Sequence, residues 1–213
     1  DFIQAMSRAY DREENKAAKD AIAQILINSR MCAEGHRPIC QDTGIVNVFV
    51  EVGMDVKFDL TMSLDDAINE GVRQGYLENS NVLRASVLAD PAFGRKNTKD
   101  NTPAVIYHKL VPGNKVDITV AAKGGGSENK SKLAMLNPSD SIVDWVLKTV
   151  PTMGAGWCPP GMLGIGIGGT AEKAMMLAKE SLMEEINMDE LLRRGPENKI
   201  EELRMEIFEK VNA

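Results

Sequence analysis

The sequence predicts an α+β fold, a mixed and partly antiparallel sheet flanked by helices in a single domain. Three observations carry that expectation. Apolar residues recur at spacings of three and four over residues 2 to 32, which is the period of an amphipathic helix. The runs "IVNVFVEVG", "AVIYHKLV" and "KVDITVAAK" are rich in the β-branched and aromatic residues that suit a pleated surface. Helical and strand-like runs then alternate without the regularity of βαβ units, which argues against a doubly wound parallel sheet. No internal repeat, low-complexity tract or linker interrupts the chain, so residues 1–213 read as one domain.

Each element has a local reason. Ile3, Met6, Ala9, Ala17, Ala21, Ile25 and Leu26 form the stripe of one or two helices that end at Gly35. "IVNVFVEVG" follows as a strand, and "SLDDAINEGVRQGYLEN" opens a helix with Ser63 as its N-cap. A polar loop covers 94 to 103. "AVIYHKLV" and "KVDITVAAK" are separated by "PGN", where proline fixes φ and Gly or Asn accepts a positive one, so a hairpin is expected. "GGGSENKSK" leads to "NPSD", in which Ser139 caps "SIVDWVLKTV", a helix stopped before Pro151. A short apolar run "MLGIGIGG" precedes a helix from Thr170 to about Ile186, and "ENKIEELRMEIFEKVNA" is a last helix whose acidic first turn matches its dipole.

Composition narrows the function. With 31 acidic against 25 basic residues the net charge is −6, and no Lys or Arg run could neutralise a row of phosphates, so a nucleic-acid partner is not expected. No apolar stretch approaches the roughly 20 residues that span a bilayer, and no basic-then-apolar leader stands at the N-terminus, so the expected address is cytoplasmic. At 213 residues and 43% hydrophobic content, the chain can build a core without disulfides. Its three cysteines, odd in number and widely spaced, point to a reducing compartment and to metal or catalytic use.

Three constellations could carry chemistry. Gly164, Gly166 and Gly169 satisfy G-x-G-x-x-G, with Glu184 about 20 residues on as a ribose-binding acid would be. A dinucleotide fold needs that acid at the end of a second strand, and Glu184 stands in helical composition. Close backbone packing, or a small anion site capped by Thr170, suits these glycines better. "KGGGSENKSK" could converge main-chain N–H groups on an anion, with Lys123, Lys130 and Lys132 adding charge, or could be a solvated connection. "PICQDTG" and "GWCPPG" place Cys40 and Cys158 between residues that stiffen (Pro38, Pro159, Pro160) or permit tight turns (Gly44, Gly156, Gly161), as converging metal thiolates require. Cysteine followed by proline recurs in iron–sulfur ligation, whereas zinc fits poorly without a C-x₂₋₄-C pair or paired histidines beside His36 and His108. On spacing alone, ordinary loop thiols remain the alternative. Cys32 reads as a packed thiol at a helix end.

Taken together, "CQDTG", "NVLRAS", "AKGGGSENKS", "LNPSD" and "GAGWCPPGMLGIGIGGTAEKAM" resemble the N-terminal domain of the class I, iron–sulfur-dependent fumarate hydratases, whose relatives include the L-tartrate dehydratase α-subunits. The resemblance runs from about residue 2 to 213. It implies a [4Fe–4S] cluster held by three cysteines, of which Cys40 and Cys158 are two. The third family cysteine falls beyond "FEKVNA", so the resemblance implies a truncated domain, or one piece of a larger protein, silent by itself. It further implies a small dicarboxylate substrate, fumarate or malate, with Arg84 as a bidentate carboxylate clamp, Gln41 and Asp42 as catalytic and substrate-binding groups, and Gly126 as a main-chain donor. The expected partners are a C-terminal domain or β-subunit and a second copy in a homodimer. An L-tartrate or mesaconate-type dehydratase subunit, and a non-catalytic anion- or nucleotide-binding module, are the alternatives.

Overall fold

A computed structural model describes residues 2–59, 61–78, 83–158 and 161–213. The architecture is α+β, and its contacts divide the chain into two compact units, Asp1–Gly124 and Gly125–Ala213, each considered by itself.

The first unit begins with helices α1 (Phe2–Arg12) and α2 (Lys16–Glu34), split where the Asn15 side chain accepts from the main-chain N–H groups of Ala17 and Ala18 and so starts a new helix. Strand β1 (Ile45–Gly53) and helix α3 (Leu64–Leu77) follow, and Ser63 Oγ accepts from Asp66 N at 3.1 Å as the sequence predicts. Two-residue strands β2 (Leu88–Ala89) and β3 (Lys96–Asn97) pair antiparallel, the second of them inside the expected polar loop. Strands β4 (Val105–Val111) and β5 (Val116–Lys123) complete the unit.

The expected β4–β5 hairpin does not form. β1 lies between the two, parallel to β4 and antiparallel to β5, with Val48 opposite both Ile106 and Val120. The physical reason is burial: β1 is apolar enough to be covered on both edges. Val46, Val48 and Val50 pack with Tyr76 against Ile68, Val72 and Ile106, each valine contributing about 2 kcal/mol of transfer free energy. Phe49 on the opposite face stacks on Tyr107 with centroids 5.0 Å apart. The "PGN" turn therefore spans two strand spacings, roughly 10 Å, instead of one. It wraps the end of β1, where Gly53 N donates to Lys115 O at 2.8 Å and Met54 N to Val111 O at 2.9 Å.

The second unit is helical: α4 (Gly125–Glu128), α5 (Ile142–Thr149), a 3₁₀ segment (Val150–Trp157), α6 (Ala171–Glu180), a short 3₁₀ turn (Ser181–Met183), α7 (Met188–Arg194) and α8 (Lys199–Val211). Its core joins Val143 and Val146 of α5 to Ile207 of α8, with Leu163, Ile165 and Leu203 packed around them. Two boundaries differ from expectation. Ser141, not Ser139, caps α5 by accepting from Asp144 N at 3.1 Å, because capping at 141 is what turns Val143 and Val146 inward. α5 does stop at Thr149, before Pro151 as expected, and a 3₁₀ segment follows with the proline in its first turn, where its missing N–H costs nothing, and with non-helical backbone at Gly154. α6 ends at Glu180 rather than near Ile186, where Ser181 Oγ donates to Ala178 O at 2.8 Å in competition with the backbone ladder. Among the described residues no helix is long and apolar enough to cross a membrane.

Candidate functional site

The Cys40 loop starts where α2 ends. Asn28 Nδ2 donates to Ile39 O at 2.9 Å, and the half-buried Cys32 Sγ reaches Pro38 O at 3.3 Å, so Cys32 packs against the loop as a helix-end thiol. Cys40 itself is exposed. Its sulfur receives the Asp42 main-chain N–H at 3.4 Å and stands 3.3 Å from Gln41 Oε1. Asp42 Oδ1 in turn accepts from Gly44 N at 3.0 Å, closing an Asx turn over the loop. Gly44 ends it with φ 62°, and a Cβ there would lie 1.8 Å from Lys123 O, so only glycine fits between loop and β5.

That loop is joined to the segment bearing Arg84. Thr43 Oγ1 donates to Arg84 O, Tyr76 OH to Thr43 O at 3.2 Å, and Ser86 Oγ to Gly44 O at 2.9 Å. Asn101, fully buried, donates from Nδ2 to Gly44 O at 3.0 Å and accepts on Oδ1 from Ser86 N at 2.8 Å and Val87 N at 3.1 Å. Gln41, Asp42 and Arg84 thus belong to one hydrogen-bonded patch of the first unit, with the Arg84 side chain exposed. Asn81 and Val82 of "NVLRAS" lie outside the described residues. Asn101 and Tyr76 had no signal in the sequence beyond the polarity of their surroundings, and Thr43 and Ser86 stood only as members of "CQDTG" and "NVLRAS" with no role assigned, because each acts on a carbonyl or amide distant along the chain.

In the second unit the glycine run becomes the single turn α4, half-buried rather than a solvated connection. Gly126 packs so closely against the 3₁₀ segment that a Cβ there would lie 2.4 Å from Gly156 O. Glu128 Oε1 accepts from Lys179 Nζ at 2.8 Å, tying α4 to α6. The 3₁₀ segment ends on Cys158, exposed and left-handed at φ 60° and ψ 65°, with its N–H given to Ala155 O at 3.1 Å. A non-glycine residue in that region is costly by about 1 kcal/mol, so the fold spends stability to project this thiol. Pro159 and Pro160 lie outside the described residues.

The glycines of the dinucleotide-like pattern have a packing role. A Cβ on Gly164 would stand 2.1 Å from Ala178 O and one on Gly166 2.0 Å from Ala174 O, so the extended 161–167 segment rides directly on the α6 backbone. Glu184 sits in extended backbone just past Met183, with no strand to carry it. Thr170 at the N-cap of α6 makes no side-chain capping bond.

The two exposed thiols suit an iron–sulfur group in kind. A main-chain N–H directed at a cysteine sulfur, as from Asp42 to Cys40, stabilises the thiolate such a group needs. They do not by themselves make a complete ligand set: among the described residues no three of His, Cys, Asp and Glu gather to hold a metal.

Comparison with known proteins bears on the same residues. The whole chain, residues 1–213, matches the pattern of a family described as fumarate hydratase (Fumerase). A Methanocaldococcus jannaschii protein provisionally named L(+)-tartrate dehydratase subunit alpha is 34% identical, and the match covers all of this chain and 74% of that protein. The L(+)-tartrate dehydratase subunit alpha of Escherichia coli O157:H7 is 26% identical over all of this chain and 69% of its own length, as is that of strain K12.

Proposed function

Because the chain belongs to the fumarate hydratase family, a family of hydro-lyases, we propose that it is the part of an iron–sulfur-dependent hydro-lyase that holds and faces a C4 dicarboxylate substrate. The observation that carries this is the hydrogen-bonded patch in which the Cys40 loop and the Arg84 segment are held to each other, since ligand and substrate clamp must be fixed relative to one another. Cys40 and Cys158 would hold a [4Fe–4S] cluster, with the remaining ligand supplied from outside these residues. When bound, the cluster supplies a Lewis-acidic iron that polarises the substrate hydroxyl.

The chain's own residues account for binding and orientation. The exposed Arg84 guanidinium presents a planar fork matched to one substrate carboxylate, which a lysine could not reproduce. Gly126 offers a main-chain donor from the first turn of α4 to a carboxylate. Gln41, whose carboxamide oxygen stands 3.3 Å from the Cys40 sulfur, would hydrogen-bond the substrate from beside that sulfur. Asp42 keeps Oδ1 on Gly44 N, which fixes the loop, and its carboxylate would hydrogen-bond the substrate hydroxyl. The proton acceptor for the adjacent carbon is assigned to a partner segment, consistent with relatives that are named as α-subunits and are longer than the span matched here.

Fumarate hydration to malate is the first substrate assignment. Dehydration of L-tartrate, the same loss of water from a 2-hydroxy dicarboxylate, is the second, favoured by the names of the relatives. The test is anaerobic reconstitution of the assembled enzyme followed by assays on fumarate, malate and L-tartrate. Cys40→Ala and Cys158→Ala should each remove the brown colour and the turnover; activity retained at the parent level in either variant overturns the proposal.

A further inference from the structure

We propose that Asn101 is the positioning residue that sets where the Arg84 guanidinium stands relative to the Cys40–Gly44 loop. The inference deepens the assignment of Arg84 as carboxylate clamp and rests on it. Asn101 is 0% exposed, and its side chain spends both its oxygen and its nitrogen on main-chain partners in two other segments. One partner, Gly44 O, is 57 residues away; the others, Ser86 N and Val87 N, are 15 and 14 away.

The consequence falls on Arg84. Its carbonyl is held on one side by Thr43 Oγ1, and the amides two and three residues later are held by Asn101 Oδ1. The chain leaving Arg84 is therefore pinned at three groups, its own carbonyl and the amides of Ser86 and Val87, and the same Asn101 side chain ties those amides to the loop that carries Cys40, Gln41 and Asp42. A guanidinium extending from an anchored Cα loses little further freedom when it closes on a carboxylate, which is how a positioning group lowers KM. Asparagine is suited to the place: it tolerates the left-handed backbone found here, φ 62°, and no apolar residue of similar volume could accept two N–H groups and donate to a carbonyl at once. Asp100 supports the geometry next door, where its Oδ1 accepts from Thr102 N at 3.0 Å and its Oδ2 from Arg73 Nε at 3.1 Å.

The test uses the assembled, reconstituted hydro-lyase. Asn101→Gly removes the side chain while accepting the positive φ, and is compared with Arg84→Ala and with the double variant. Three readouts are taken: KM and kcat for the dicarboxylate, and hydrogen exchange at the Ser86 and Val87 amides. Asn101→Gly is expected to raise KM about tenfold with a smaller change in kcat, and to accelerate exchange at both amides. In the Arg84→Ala background the same substitution should change KM less than about twofold, because the group it positions is gone. Losses that multiply in the double variant, or a parent-like KM in Asn101→Gly, overturn the inference. An Arg84→Ala enzyme with unchanged KM overturns the clamp assignment itself and this inference with it. Should Asn101→Gly fail to fold, Asn101→Asp keeps both acceptor bonds and replaces the donation to Gly44 O by a carboxylate oxygen facing that carbonyl; a KM rise that vanishes in the Arg84→Ala background is again expected, and a parent-like KM is again fatal.

Discussion

The two cysteine loops look alike in sequence, each a thiol set among glycine and proline, yet the fold holds them by different means. Around Cys40 the restraint comes mostly from side chains, Asp42, Thr43, Tyr76, Ser86 and Asn101 hydrogen-bonding carbonyls and amides of neighbouring segments, with a glycine contact, Gly44 against Lys123 O, added to them. Around Cys158 it comes from backbone against backbone, with Gly126 against Gly156, the 161–167 segment on α6, and a left-handed cysteine closing the 3₁₀ turn. The difference matters for how each loop can change. A side-chain network loosens one bond at a time, whereas a glycine contact has no near-isosteric substitute.

The contrast would be broken most severely at Gly166. Gly166→Ala places a Cβ 2.0 Å from Ala174 O and 2.6 Å from Ala178 N, both main-chain atoms that cannot step aside. A loss of about 3 kcal/mol in chemical denaturation is expected. Gly71→Ala, an exposed helical position where an added Cβ meets nothing within 4 Å, should instead gain about 0.5–1 kcal/mol. Equal effects at the two sites would remove the claim that backbone contact rather than glycine content restrains the second unit.

A smaller effect is expected from Tyr76→Phe, which deletes only the bond to Thr43 O and leaves the ring in the β1 core. Unfolding free energy should fall by about 1 kcal/mol, with faster exchange confined to the Cys40 loop. Exchange that rises equally around Cys158 would blur the distinction between the loops.

The least effect is electrostatic. Arg194 Nη2 lies 2.5 Å from Glu201 Oε1, joining α7 to α8, and this hydrogen bond, followed by that from Glu197 N, holds the Glu201 carboxyl down to about 2. A carboxylate with a folded pKa below its unfolded one contributes stability that is present above the ordinary carboxylate range and disappears as pH falls toward the folded value. Melting temperature at low salt should therefore decline modestly over that acidic window, less so in Glu201→Gln and less so in high salt. Asp100 in the first unit, held low chiefly by the Thr102 N–H, moves in the same direction, so a Glu201→Gln chain should keep the part of the decline that belongs to the Asn101 turn.

Much of the local structure could be read from the chain. Ser63 caps α3, Gly35 closes α2, and the β-branched run at 45–53 is a strand, since each depends on residues within one turn or one pleat. The cysteine loops and Arg84 were likewise visible as residue types in compound motifs. What misled was also local: "PGN" is a good hairpin turn, and nothing within it tells that β1 will slip between the strands it joins. Ser139 and Ser141 are equally good caps until the burial of Val143 and Val146 selects one.

The sequence by itself determined the kinds of elements, most of their ends, and which residues carry sulfur, carboxylate and guanidinium chemistry. Tertiary structure alone decided the order β4-β1-β5 and the meeting of Asn101 with Gly44 across 57 residues. Propensity and capping are exhausted within a few residues of chain, whereas which strand is most worth burying, and which carbonyl a buried amide will satisfy, is settled only when distant segments compete for the same space.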